Sequence, residues 1–304
     1  MATRKDKEEF EFEITKREKI FFPKEGYTKG DLIDYYEKIA EVMLPHLQER
    51  PITMLRFPNG IEDKRFFQKD EPDYFPDWIH TTEIEKQDGG TTCYVLCNNK
   101  STLIYLANQA CITPHIWLSK KDQPDFPDRM VFDLDPSEDN FNEVKRAALI
   151  FKEFLEEKLN LPVFLMTTGS RGLHVVVPLK PEKNFDEIRA FAQEIAHYLE
   201  KKHPQEFTTA ARKNKRGNKL YLDVARNGFG QTTVAPYAVR PIAGAPVATP
   251  IEWEELSSLD SSQKYTIKNI FRRMGRKEDP WKKITAKAVT LDSAEKKLKE
   301  LSAK

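Results

Sequence analysis

The sequence predicts an α+β fold, with helices packed on one face of a sheet. Three observations predict it. Short strand-like runs and stretches of helical periodicity interleave along the whole chain, and residues 130–223 read β-α-β-turn-β-α-β. No internal repeat or low-complexity linker interrupts that order.

Residues 12–22 read as a short β-like run closed by a turn at Pro23 and Gly26. Thr28-Lys29-Gly30-Asp31 leads into apolar residues at helical spacing, predicting a helix to about Leu47. Ile52 to Phe57 reads as a strand, ended by Pro58-Asn59-Gly60, and residues 65–69 as a second strand with an aromatic pair. Residues 70–80 are loop-like. Glu83 to Leu96 reads as a hairpin turning at Asp88-Gly89-Gly90, Ser101 to Gln109 as a helix, and residues 112–118 as a strand. A strand over residues 130–135, an amphipathic helix near 142–159 and strands at 162–167 and 173–178 follow. A helix over 185–201, a basic stretch at 211–219 and a strand at 220–223 come next. Residues 231–239 are a short polar-then-apolar run, and 241–250 read as loop. The end predicts helices near 263–274 and 291–302, the second rich in lysine.

The chain has 304 residues, 39% hydrophobic and 32% charged, with a net charge of +1. That is a charge-rich globular composition with ample core. Bulk charge does not announce nucleic-acid binding, so any such site must come from local clustering. No apolar run approaches the roughly 18 residues of a membrane helix, and Met1 to Glu9 lacks the apolar centre of a signal peptide. The expected location is cytoplasmic. Cys93, Cys97, Cys111 and His115 have a zinc-like spacing. Sulfurs four residues apart on a strand lie roughly 13 Å apart, too far to share one ion at about 2.3 Å each. Buried free thiols are expected instead.

The chemistry centres on Met130-Val131-Phe132-Asp133-Leu134-Asp135-Pro136. On a strand, Asp133 and Asp135 project from the same face. Paired carboxylates repel unless a cation lies between them, and a hard divalent metal such as Mg²⁺ or Mn²⁺ suits oxygen ligands. A strand end running into a polar turn is the bland alternative. Asp223 ends another strand in the same half of the chain. Three carboxylates on two adjacent strands would suit two metals and in-line phosphoryl transfer. Thr168-Gly169-Ser170-Arg171-Gly172-Leu173-His174 offers hydroxyls, backbone N–H groups, a cation and an imidazole suited to phosphate oxygens. Alone it would also serve as an ordinary β-turn.

With these pieces in order, the chain resembles the polymerase domain of bacterial ligase D, in the archaeo-eukaryotic primase superfamily. The matching segments are Tyr27-Thr28-Lys29-Gly30-Asp31-Leu32, Phe66-Phe67-Gln68-Lys69, Pro114 to Ser119 and Val131 to Pro136. They continue with Gly169 to His174, Phe207-Thr208-Thr209, Leu222-Asp223 and Thr232 to Arg240. The resemblance implies a primase-polymerase fold with mixed and antiparallel sheets, an RRM-like catalytic core and an N-terminal α/β module. The expected division is one domain over 1–285, with the module at 1–110 and the core at 111–285, then a basic helix at 286–304.

The resemblance also implies roles. Asp133, Asp135 and Asp223 would hold two divalent ions, with Mn²⁺ favoured over Mg²⁺. Thr168, Ser170, Arg171, His174 and Arg240 would bind the incoming nucleoside triphosphate, and His115 would sit near the primer end. Lys19 and Lys29 would bind a 5′-phosphate across a gap. Phe66 and Phe67 would stack on template bases, and Arg216 would help hold an overhang or second DNA end. Read alone, Phe66 and Phe67 alternate faces, so one is expected in the core. His115 and His174 would read as core histidines, and the two lysines as solvated surface. Thr168 and Arg171 stand where the family usually has Ser and Lys. Leu55 and Gln231 stand where some relatives place Lys.

The implied function is a polymerase that fills gaps and extends 3′ ends in non-homologous end joining, with a preference for ribonucleotides. The implied partners are broken DNA, Ku and an ATP-dependent ligase, and the implied location is the nucleoid. Lys86-Gln87-Asp88-Gly89 fits the K-x-D-G motif of DNA ligases but falls in a hairpin turn and is read as one. A separate ligase is therefore expected. A de novo primase and a DNA-end-bridging module are the alternative readings.

Overall fold

The computed structural model describes residues 12–136 and 140–303. The stretch inspected for a signal peptide lies outside the described residues. β1 (Ile20–Phe22) and β2 (Tyr27–Thr28) pair across the Pro23–Gly26 turn. Only the end of the β-like run at 12–22 is thus a strand. α1 (Lys29–Leu47) begins at a capping box: Thr28 Oγ1 accepts from Asp31 N, and Thr28 N donates to the Asp31 carboxylate at 2.7 Å.

β3 (Pro51–Arg56), β4 (Phe66–Gln68), β5 (Thr81–Glu85) and β6 (Thr91–Leu96) follow, then α2 (Lys100–Asn108) and β7 (Cys111–Trp117). β5 and β6 meet at the expected turn, where Lys86 N donates to Gly90 O at 2.8 Å. Next come β8 (Arg129–Asp135), α3 (Phe141–Glu153), a π-helical turn at Phe154–Lys158, β9 (Phe164–Thr167) and β10 (Leu173–Pro178). The chain continues through α4 (Phe185–Lys202), β11 (Phe207–Thr208), β12 (Leu220–Asp223), β13 (Thr232–Val234) and β14 (Thr249–Ile251). It ends with α5 (Ile270–Met274) and α6 (Asp292–Ser302).

Two sheets organise these elements. The first has the order β13-β7-β3-β6-β5, with β4 also paired to β3, so strands from both sides of residue 110 build it. The second has the order β11-β12-β8-β10-β9-β14 and is antiparallel except for β11-β12. Strand alternation sorts the second sheet's residues. Phe132, Leu134, Leu173 and Val175 face α3, α4 and α6, and the Phe132 and Phe151 rings lie 4.8 Å apart. Val131 and Val176 face the other way and join the core built around α1, α2 and the first sheet. Odd-numbered β8 residues therefore point at the first sheet, which sets where the acidic pair emerges.

Further sequence expectations change. The run 241–250 contains the start of β14, whose Pro250 is tolerated because the strand is at the sheet edge. The helix expected near 263–274 forms only at Ile270–Met274. Phe66 and Phe67 are both exposed, at 43% and 60%, so neither is core. β4 is a three-residue strand paired on one side, and nothing covers either of its faces fully. Cys97 and Cys111 are buried free thiols as expected, whereas Cys93 is only partly buried. Burial pushes the Cys111 thiol up to about 12.

Candidate active site

Strand register assembles the site. Asp223 pairs with Asp133, and Asp133 pairs with His174, so β12, β8 and β10 place these three side chains in one row. Asp135 follows two residues along the same face, opposite Tyr221. A slip of one residue would send the whole set into the apolar core beneath α3 and α4.

The charges of the row are partly matched. His174 Nε2 lies 3.5 Å from Asp133 Oδ1, and Arg226 Nε 3.5 Å from Asp133 Oδ2. Burial alone would raise the Asp133 pKa, but His174 and Arg226 outweigh it and hold the carboxylate low. Asp135 Oδ2 pairs with Arg171 Nη2 at 2.7 Å. Even so, burial and the charge of Asp133 push its carboxyl above the ordinary value. Asp223 Oδ1 accepts from Ala225 N at 2.8 Å.

Among the described residues, no three His, Cys, Asp or Glu side chains are drawn close enough together to hold a metal ion. Each aspartate is turned toward a cation or an N–H group. The donor chemistry nevertheless fits a hard divalent cation. Three carboxylates share one sheet face, and Asp135 is short of positive charge.

The phosphate-like turn between β9 and β10 is pressed against this row. A Cβ on Gly172 would collide with the Leu134 carbonyl, so only glycine lets the turn lie on β8. Gly169 has φ +66°, and a Cβ there would lie 2.8 Å from Arg240 Cγ and 2.9 Å from Ala248 N. Arg240 thereby packs directly on the turn. Its buried Nε has no hydrogen-bond partner among the described residues. The Thr168 hydroxyl donates to Gly172 O at 3.1 Å and accepts from Ser170 N at 3.3 Å, so it braces the turn from inside. Ser262 Oγ adds a second brace, donating to Gly172 O at 2.7 Å.

The first sheet supplies the opposite wall. His115 on β7 is close enough to Arg240, Arg226 and His174 for their charges to reach it. Loss of water and then those charges push it down to about 3, keeping the imidazole neutral. Its Nε2 is buried without a partner among the described residues. The Phe67 ring meets His115 edge-on at 5.6 Å, and the Arg56 guanidinium lies over Phe66 at 5.4 Å. The exposed pair therefore adjoins the site. Phe67 also lines a cleft of about 870 Å³ running toward Trp117 and the β5–β6 turn.

Lys19 and Lys29 stand together at the β1–β2 hairpin, where Lys29 N donates to Lys19 O at 2.7 Å. Lys29 is buried, and its Nζ donates to Thr15 O at 2.6 Å. Burial, with the charges of Lys16 and Lys19, lowers its pKa to about 8. Lys19 Nζ donates to Asn59 Oδ1 at 2.7 Å. The Arg216 guanidinium lies over the Tyr221 ring at 3.8 Å and donates to Ala210 O and Ala211 O. Tyr221 sits opposite Asp135, so Arg216 borders the row.

Arg226 and Asn227 were missed. A 3-10 turn at Ala225–Asn227 swings them back over β8. Asn227 accepts from Val131 N at 2.8 Å and donates to Val131 O at 2.7 Å, fixing the turn that aims Arg226 at Asp133. An Arg-Asn pair after a strand end carries no signal of that return.

Residues 28–281 match the family model described as LigD, primase-polymerase domain. The multifunctional non-homologous end joining protein LigD of Mycolicibacterium smegmatis is 33% identical over 247 residues, covering 80% of this chain and 32% of that protein. The bifunctional non-homologous end joining protein LigD of Bacillus subtilis is 32% identical over 272 residues, covering 88% of this chain and 43% of that protein. The chain thus spans less than half the length of these two relatives. The polymerase domain of Mycobacterium tuberculosis ligase D, solved in complex with DNA, superposes with a TM-score of 0.85 at 30% identity. The match covers 92% of this chain and all of that one.

Proposed function

The chain belongs to the LigD primase-polymerase family, and from that premise we propose that it is a template-dependent nucleotidyltransferase. It fills gaps and extends 3′ ends at double-strand breaks during non-homologous end joining, favouring ribonucleotides. The observation that carries this reading is the single row of Asp223, Asp133 and His174, flanked by Asp135 and facing Arg240 and His115.

Asp133, Asp135 and Asp223 are the residues to hold two divalent ions, Mn²⁺ or Mg²⁺. Ions held there would lower the pKa of a 3′-hydroxyl and neutralise charge on a triphosphate. The chain's own residues do the positioning. Ser170, Arg171, His174 and Arg240 take the triphosphate oxygens, with Thr168 bracing the turn that carries them. Arg171 would exchange Asp135 for phosphate as the nucleotide enters. His115, kept neutral, can accept a hydrogen bond at the primer end without adding positive charge. Phe66 and Phe67 offer stacking surfaces that tolerate any base. Lys19 and Lys29 take a 5′-phosphate, and Arg216 supports an overhang or second end.

Residues 1–285 form one polymerase unit, followed by a basic segment at 286–304 in which the helix is confined to α6. The partners are Ku and an ATP-dependent ligase, and the location is nucleoid-associated. Among the described residues, no helix is long and apolar enough to cross a membrane.

The test is extension across a short gap, with and without a 5′-phosphate, using ribonucleotides and deoxyribonucleotides. Templated ribonucleotide addition stimulated by the 5′-phosphate supports the proposal. Synthesis of dinucleotides without a primer would assign a primase instead. End bridging without any addition would assign a structural module.

A further inference from the structure

A second cavity, of about 430 Å³, opens between the later turns of α1 and residues 274–285, at the opposite end of β8 from the acidic pair. Val42, Met274, Trp281 and Ile284 give it apolar walls. Two of its lining residues are arginines more than nine-tenths buried: Arg50 is 3% exposed and Arg129 6%.

Their counter-charge is incomplete. Both share Asp128: Arg50 Nη2 donates to Oδ2 at 2.6 Å, and Arg129 Nε to Oδ1 at 3.3 Å. Arg50 also donates to the carbonyls of Trp117 and Ser119 at 3.4 and 3.5 Å. Arg129 makes no further hydrogen bond among the described residues, so its two terminal amino groups lack a protein partner. Asp279, the partly buried acid of the cavity, is already engaged by His46 Nε2 at 2.7 Å and by the Tyr237 hydroxyl at 2.8 Å. Two guanidiniums thus share the one Asp128 carboxylate, while the exposed rim sets Glu41 and Glu278 against Lys120, Lys277 and Lys282. Burial and the charge of Arg50 lower Arg129 to about 10 despite Asp128, which is the same deficit seen from the proton's side.

A buried cation with idle donors beside an apolar wall is the donor set of a ligand site rather than of a core. We infer that this cavity binds a small organic anion, with one carboxylate or phosphate monoester on the idle edge of Arg129 and an apolar body against Trp281 and Ile284. The planar guanidinium edge matches either group in bidentate fashion. Six residues of extended strand, roughly 20 Å, separate Arg129 from Asp135, so the ligand does not occupy the nucleotide's place.

The test is calorimetric titration of the full chain with phenyl phosphate, benzoate and inorganic phosphate. Three variants accompany it: Arg129→Gln, Val42→Trp to fill the cavity from the partly exposed face of α1, and Arg240→Ala at the nucleotide end. One-to-one binding of phenyl phosphate or benzoate is expected, stronger than that of inorganic phosphate. It should weaken at least tenfold in Arg129→Gln and Val42→Trp and stay unchanged in Arg240→Ala. The tighter of the two organic probes identifies the anionic group. If Arg129→Gln does not fold, Val42→Trp decides alone. Three results would overturn the inference: no saturable binding of either organic probe, inorganic phosphate binding as well as phenyl phosphate, or loss in Arg240→Ala alone.

Discussion

Asp223 lies directly opposite Asp133 on the neighbouring antiparallel strand. At that register two Cβ atoms are about 4.5–5.5 Å apart, and like charges so placed oppose folding. His174 and Arg226 offset the repulsion from the Asp133 side only. Asp223→Asn removes the repulsion and keeps an oxygen for Ala225 N. It is expected to leave metal-free stability unchanged or raise it by up to about 1 kcal/mol, as sites strained for function do. Thermal melting in chelator checks this. A clear fall in Tm would mean that Asp223 is structural.

Phe66 and Phe67 are exposed and adjoin the row through His115. Replacing either with Ala should cost stability within about 0.5 kcal/mol, because little surface is buried there. Affinity for a gapped template should fall by roughly 1–3 kcal/mol, or about 5- to 150-fold in Kd. Fluorescence anisotropy with labelled DNA separates the two effects. Unchanged affinity in both variants would remove the stacking role.

Lys29 has its pKa lowered to about 8 by burial and by Lys16 and Lys19. It is charged below that pH and loses its proton above it. The preference for a 5′-phosphorylated gap over a 5′-hydroxyl gap should then shrink as pH rises from 7 to 9. Binding of the phosphate itself raises the lysine pKa and moves the change toward the upper end of that window. Lys29→Met should show little preference at either pH. A preference that is flat with pH in the wild type would remove Lys29 from the phosphate site.

Buried ion pairs set the acid limit. Glu255 is buried and Asp128 and Asp279 are partly buried, which alone would raise their pKa values. Arg50 with Arg129, His46, and Arg273 respectively outweigh that and lower them. Folded values below unfolded ones mean that the unfolded chain binds more protons in acid. Their stabilisation is complete above the ordinary carboxylate range and is lost as pH falls through the depressed values, so the loss sets in below about pH 4.5. Glu255→Gln should lower stability at pH 7 and flatten part of the acid slope in urea titrations. An unchanged slope would show that the Glu255–Arg273 pair contributes nothing to it.

The parts of the site that local pattern controls were legible. Strand alternation alone puts Asp133 and Asp135 on one face, and glycines mark the turn at 168–172. What failed depended on contacts remote in sequence. The return of Arg226 over Asp133 depends on Asn227 reaching Val131, and no periodicity encodes that contact. Alternation predicted a buried phenylalanine in Phe66-Phe67, but β4 is too short and too close to the edge to have a covered face. The joining of β7 and β13 to the N-terminal sheet is likewise a long-range event.

The most direct measurement is primer extension on a gapped duplex with Mn²⁺, comparing wild type with Asp223→Asn at matched folded concentration. The predicted result is templated addition by the wild type and a loss of roughly a thousandfold or more in the variant, since a carboxylate that holds charge at the reacting phosphates cannot be replaced by an amide. Extension by Asp223→Asn within tenfold of wild type, or no extension by the wild type, would contradict the assignment of this acidic row as a polymerase centre.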